Sequence, residues 1–147
     1  MDSDAFDIRP ALYSDEQAIR ALLEKADLPF EDVQTGRQTF LVAVNEGHIV
    51  GSVGLEAYGE SGLFLSLAVE TEFRGRGLGG KLTEEMVAEA QKIGARELYL
   101  LTMAAAPFFA KHGFEKVERS KAPAALQGTT EFALLCPVSS ACMRRRL

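Results

Sequence analysis

Arg74-Gly75-Arg76-Gly77-Leu78-Gly79 stands between two stretches with different hydrophobic periods. Before it, Leu63 to Val69 is almost entirely apolar, the pattern of a central strand covered on both faces. After it, Leu82, Met86, Val87 and Ala90 recur at helical spacing. A strand, a glycine-rich turn and a helix start together form an anion cradle. The first backbone N–H groups of a helix have no intrahelical acceptor, and the helix dipole adds positive character there. Glycine lets the backbone approach a phosphate where a Cβ would collide. The order G-x-x-x-x-G-K-[ST] of a P-loop is absent. Gly75, Gly77 and Gly80 do match G-x-G-x-x-G, but a dinucleotide fold places that turn on its first βα unit, and here it lies mid-chain. A plain glycine turn with two solvated arginines stays open on these six residues alone, so the flanks have to decide.

The chain has 147 residues, enough for one domain with a substantial core. Its net charge is −5 and its basic run comes only at the end, which argues against nucleic acid as a partner. No apolar stretch approaches the roughly 20 residues that span a membrane. Met1-Asp2-Ser3-Asp4 is acidic and carries no signal-peptide core, and Cys136 and Cys142 do not make a disulfide framework. A reduced, cytoplasmic protein without a membrane partner is the expectation.

Along the chain, Phe6–Pro10 reads as a short strand and Ile19, Leu22, Leu23 and Ala26 as one face of a helix. Val33–Thr39 is ambiguous, with room for a second short helix. Phe40–Val44 and His48–Ala57 form a hairpin about Asn45-Glu46-Gly47. A second turn at 58–62 precedes the strand Leu63–Val69. The helix after the glycine turn ends near Gly94, and Glu97–Thr102 is a buried strand. Ala105–Lys111 is a short helix entered through Pro107 and stopped by Gly113, and Phe114–Val117 is a further strand. A meander followed by β-α-β gives an α+β chain with a mixed central sheet flanked by helices.

In this order, three motifs resemble the GCN5-related N-acetyltransferase (GNAT) family. Arg74-x-x-Gly77-x-Gly79 after Leu67-Ala68-Val69 is similar to its pyrophosphate loop and pantetheine strand. Phe108-Phe109-Ala110-Lys111-His112-Gly113-Phe114 is similar to its F-Y-x-x-x-G-F segment. Glu97–Thr102 fits the strand that splays from Leu63–Val69. The match covers about residues 6–118 of a single domain spanning 1–147, with 119–147 as an atypical tail. A closer likeness, in Gly51–Gly59, Leu100-Leu101-Thr102 and the tail from Glu131 to Met143, is to small acetyltransferases of arsenic resistance and to short N-acetylglutamate synthase-like proteins.

The resemblance implies acetyl-CoA as cosubstrate and a small-molecule amine as acceptor, an amino acid or arsenic-containing glutamate analogue, with homodimerisation open. The N–H groups of Gly75, Arg76, Gly77, Leu78, Gly79 and Gly80, with the Arg74 or Arg76 side chain, would hold pyrophosphate. Leu67 and Val69 would offer a strand edge to pantetheine, and the N–H near Leu67 or Ala68 a donor to the thioester oxygen. Phe109 and Lys111 fall on the cofactor side of the family motif, with a solvated lysine equally open for Lys111. Glu56 is the candidate general base, beside the reading of an outward-facing strand glutamate. Tyr58 and Tyr99 are alternative polar groups, with packing the better reading of Tyr99.

Two positions depart from the family. Phe109 stands where a Tyr often donates a proton to the leaving thiolate, and Leu65 stands where synthase-like members tend to carry Arg. No metal site is expected, because the cysteine spacing fits no zinc pattern. Arg144-Arg145-Arg146 reads as a solvated tail. Protein or peptide N-acetylation and a non-catalytic acyl-CoA-binding module are the competing functions.

Overall fold

The structure, a computed structural model, describes residues 6–147, so the acidic Met1–Asp4 segment lies outside it. Among the described residues, seven strands form one sheet in the order β1-β2-β3-β4-β5-β7-β6. The strands are β1 (Asp7–Pro10), β2 (Thr39–Asn45), β3 (His48–Tyr58), β4 (Ser61–Val69), β5 (Glu97–Thr102), β6 (Glu115–Val117) and β7 (Ala141–Arg146). The helices are α1 (Glu16–Lys25), α2 (Leu78–Lys92), α3 (Ala106–Lys111) and α4 (Ala124–Gln127). The sheet is mixed, as the hydrophobic patterning leads one to expect: β4 and β5 are parallel, whereas β1 with β2, β5 with β7 and β6 with β7 are antiparallel. The chain divides into two compact units.

The first unit runs through Gly54 and resumes over Ser66–Met86. Its core sets Ile19, Leu22 and Leu23 of α1 against Val33, Phe40, Val42 and Ala68. Glu46 and Gly47, both at positive φ (51° and 80°), make the two-residue turn between β2 and β3 that matches strand twist. Gly54 is needed for space, because a Cβ there would come within 2.8 Å of the Phe40 ring. The segment from 30 to 38 contains no helix. Arg20 donates to the Val33 carbonyl and the Glu16 carboxylate accepts from the Thr35 N–H, so side chains of α1 fix this stretch as turns.

The second unit comprises Leu55–Leu65 and Val87–Leu147. β4 begins at Ser61, so the turn between β3 and β4 is shorter than the 58–62 span read from the sequence. On one face of this sheet Phe64 packs edge-on to Phe109 and Phe114, each at 5.7 Å. On the other, Leu63, Leu65, Tyr99 and Cys142 are covered by Ala122, Leu126 and Phe132. Arg144–Arg146 is no solvated tail: it belongs to β7, hydrogen-bonded between β5 and β6. Met143 is 1% exposed on this strand. The arginines find partners along the sheet, Arg145 donating to the His112 carbonyl at 2.9 Å and Arg144 to Glu115 at 3.1 Å.

One charge pair ties β1 to the start of α1. Arg9 donates to both oxygens of Asp15 at 2.7 and 3.3 Å, and the Leu12 N–H donates to the same carboxylate at 2.7 Å. These donors hold the Asp15 carboxyl below its ordinary value, with the Arg9 hydrogen bond the largest cause. A depressed carboxyl stabilises the fold above its unfolded value, about 3.9, and the contribution is lost as pH falls through the folded value. Asp15→Asn is therefore expected to cost about 1 kcal/mol at neutral pH and to flatten the acid limb of the stability curve. Denaturant unfolding at several pH values checks this, and an unchanged acid limb contradicts it.

Candidate acyl-CoA site

The glycine loop lies in the first unit. β4 ends at Val69, a short 3-10 turn spans Thr71–Phe73, and α2 starts at Leu78. Gly75 and Gly77 sit at φ +78° and +80°, a region that costs other residues roughly 1–2 kcal/mol. Nothing lies within 4 Å of a Cβ built on either glycine, so backbone conformation is what selects glycine here. The Gly77 carbonyl accepts from the Lys81 N–H at 3.1 Å, closing the first helical turn. The N–H groups of Leu78, Gly79 and Gly80 then have no intrahelical acceptor and face the helix entry. The two arginines have distinct roles. Arg74 Nε donates to the Val69 carbonyl at 3.0 Å and buttresses the strand end. Arg76 lies over the Phe73 ring at 5.2 Å, and Phe73 meets Phe6 edge-on at 5.7 Å.

β4 changes character along its length. Its Cα pairing with β5 runs Ser61↔Glu97, Gly62↔Leu98 and Leu63↔Tyr99 and then ends. Three residues later Ser66 takes φ +60°, an outlier for a residue that is neither Gly, Asn nor Asp. Such a conformation costs on the order of 1–3 kcal/mol and persists only where neighbours over-determine it. Downstream, the Glu70 N–H donates to the Val50 carbonyl of β3 at 2.8 Å. Alternation then turns the backbone groups of Leu67 and Val69 away from β3. Leu67 and Val69 are half-buried, whereas Ala68 is buried. Ser66 did not stand out in the sequence; the signal was its being the only polar residue in Leu63–Val69.

In the second unit, Glu56 is half-buried near the end of β3 and accepts from the Tyr58 hydroxyl at 2.7 Å. Tyr99 is 5% exposed, so packing is its main role, and burial pushes its phenol up, leaving it a neutral donor to Glu97 at 3.4 Å. Glu97 also accepts from Ser61 at 3.1 Å. Leu65 is 4% exposed inside the apolar cluster, a place where a cation would be stranded. Phe109 is 6% exposed and packs on Phe64, Phe108 and Phe114, while Lys111 ends α3 exposed.

The region after β6 is built around Arg119, which the sequence did not single out. Its guanidinium donates to the carbonyls of Phe132, Cys136 and Pro137 at 2.7, 3.3 and 2.6 Å and lies over the Phe132 ring. This clamps the single π-helical turn Glu131–Leu135. No group of three or more metal-ligating side chains occurs among the described residues. Cys142 is 4% exposed and burial pushes its thiol up, whereas Cys136 is half-buried and donates to Glu131 at 3.6 Å.

A mixed sheet whose parallel pair separates beside a strand–glycine turn–helix defines the fold class of acyl-CoA N-acyltransferases. Residues 36–116 match the acetyltransferase (GNAT) domain, and the chain belongs to that family. It is 35% identical over 88 residues to the amino-acid acetyltransferase of Pseudomonas syringae pv. tomato, a match covering 58% of this chain and 20% of that protein. It is 31% identical over 104 residues to an N-acetyltransferase of Chlorobaculum tepidum, covering 70% of this chain and 64% of that one. Its fold is that of N-acetylglutamate synthase from Neisseria gonorrhoeae, solved with coenzyme A and N-acetyl-glutamate: TM-score 0.83, 21% identity, 97% of this chain and 35% of that one. A Mycobacterium tuberculosis protein solved with CoA aligns at TM-score 0.79 and 22% identity over 96% of this chain and 99% of that chain. The chain thus spans about a fifth of the Pseudomonas protein and about a third of the Neisseria synthase.

A thiol reagent at mildly alkaline pH is expected to label Cys136 in the folded protein and to reach Cys142 only on unfolding. Peptide mapping before and after denaturant checks this; early labelling of Cys142 contradicts the packing described.

Proposed function

We propose that this chain is an acetyl-CoA-dependent N-acetyltransferase whose acceptor is the primary amine of a small molecule of amino-acid type. One observation carries the reading: the glycine loop opens α2 directly after a strand that has lost its parallel partner and is bent at Ser66. Pyrophosphate lies on the N–H groups of Gly75–Gly80 with Arg74 and Arg76 beside it, and pantetheine runs along Leu67, Ala68 and Val69. Phe109 and Lys111 enter this reading only as the cofactor-side positions of the family's F-Y-x-x-x-G-F segment. The whole chain serves as one acetyltransferase domain. A cytoplasmic location and a homodimer accompany this reading, and among the described residues no helix is long and apolar enough to cross a membrane.

The chemistry follows from these assignments. Glu56, held by the Tyr58 hydroxyl, takes a proton from the acceptor ammonium, directly or through water. The free amine attacks the thioester carbonyl carbon, and the N–H near Leu67 or Ala68 stabilises the oxyanion. The C–S bond then breaks, and the surplus proton on the nitrogen passes to solvent as the amide forms. With Phe109 unable to donate a proton, CoA leaves as thiolate, which a thiol of ordinary pKa, roughly 8.5, allows. Leu65, buried among apolar side chains where synthase-like members tend to carry Arg, counts against glutamate itself as the acceptor. Arsenic-containing glutamate analogues are the finer acceptor proposal, resting on the likeness of the C-terminal segment.

Acetyl-CoA turnover across amino acids, arsenic-containing amino acids, aminoglycosides and polyamines tests the reading. Turnover of an amino-acid member is expected, and binding without turnover on every amine would favour a non-catalytic module. Gly77→Asp, which adds both a strained φ and a negative charge to the cradle, is expected to abolish acetyl-CoA affinity by calorimetry; unchanged affinity would remove the loop from the site. Glu56→Gln should lower kcat roughly 100-fold and erase the acidic limb of the pH–rate profile. An intact limb would rule Glu56 out as base.

A further inference from the structure

The bend at Ser66 is not held by Ser66 itself. Residues that tolerate positive φ are glycine, or Asn and Asp with side chains that bond locally. Ser66 is 9% exposed, and its own Oγ is buried with no hydrogen-bond partner. Its backbone carbonyl instead accepts from the Ser52 hydroxyl on β3, at 2.8 Å. Ser52 is fully buried, set between Gly51 and Val53 in a strand whose neighbours to both sides are core. A hydroxyl placed in such a position has to satisfy its hydrogen bond within the protein, and here it does so on the carbonyl of a residue at positive φ.

We infer that Ser52 is a positioning residue for acyl transfer. It pins the Ser66 carbonyl toward β3, which keeps the strained turn in place, and that turn sets the direction of the next N–H that faces away from β3, that of Leu67. This rests on the reading of that N–H as the oxyanion donor. Without the pin, Ser66 relaxes toward extended φ and the Leu67 N–H turns off the thioester oxygen, while the Glu70–Val50 bond keeps the register beyond it. Displacement on the order of 1 Å is enough to cost chemistry without cost to binding. The pyrophosphate loop lies beyond Glu70, whose N–H is separately bonded to Val50, so cofactor affinity is insulated from the change.

The test is a kinetic double-mutant cycle on the acceptor that the wild-type chain turns over best. Ser52→Ala is expected to lower kcat roughly 10- to 100-fold while KM for acetyl-CoA stays within about twofold. Glycine at 66 takes φ +60° unaided, so in the Ser66→Gly background the Ser52→Ala step should change kcat by less than about twofold. A merely structural serine would instead lower the melting temperature equally in both backgrounds and leave no coupling in kcat. Wild-type kcat in Ser52→Ala, or an equal loss in both backgrounds, overturns the inference. Should Ser52→Ala fail to fold, Ser52→Cys, close in shape and a poor donor, carries the same comparison. A wild-type chain that acetylates no amine would sink the acetyltransferase reading, whereas turnover with a silent Ser52 would sink only the pin.

Discussion

Parallel pairing between β4 and β5 stops at Leu63↔Tyr99, and what the chain can bind depends on the next six residues of β4. A strand that loses one neighbour exposes a row of backbone donors and acceptors, normally a liability. Here the edge is short and its far end is closed off. Arg74 folds back onto the Val69 carbonyl, and Ser66 bends the strand so that Ser52 and β3 take up its inward groups. What remains is a short run of polar edge leading straight into an anion cradle. The acyl-CoA we propose for that surface is extended, with amides in its middle and phosphates at its end. Backbone groups carry most of it, so the apolar side chains of Leu67, Ala68 and Val69 are free to serve the packing.

Much of this was legible in the sequence because glycine and periodicity report directly on backbone conformation. Gly75 and Gly77 mark a glycine turn between strand and helix, and the structure has that turn, with both at positive φ. Leu82, Met86, Val87 and Ala90 announce a buried helix face, and all four are buried. The strained residue was far less visible, because serine carries no positive-φ signature and its pin lies fourteen positions upstream on another strand. The C-terminal strand misled for a different reason. Three consecutive arginines look solvated, but in a strand they point alternately to two faces. Arg144 and Arg145 use long aliphatic stems to lie along the sheet while their charged heads reach Glu115 and the His112 carbonyl. Arg119 was hidden likewise, since its three carbonyl partners come from a turn that no local pattern specifies.

The two halves of the proposed reaction are unequally written into the chain. The donor half, as proposed, rests on backbone geometry, the positive φ of Gly75 and Gly77 and the bend at Ser66. The acceptor half depends on individual side chains, and there this chain goes its own way. Leu65 is sealed in a core of Tyr99, Leu126, Phe132 and Cys142, which removes one place for a carboxylate-binding cation. Glu56 accepts from the Tyr58 hydroxyl at 2.7 Å near the end of β3, and no backbone pattern of the glycine-loop kind marks it. Phe109 is a core residue of an aromatic cluster, consistent with a leaving group that needs no protein acid.

The central claim is that backbone amides of the bent strand and of the glycine turn receive the cofactor. Residue-resolved amide hydrogen exchange, with and without saturating acetyl-CoA, measures this directly. The account predicts slowed exchange at Leu67, at Val69 and across Gly77–Gly80, with the amides of β6 and β7 unchanged. Saturable binding that leaves those amides unprotected, with protection appearing elsewhere, would contradict it.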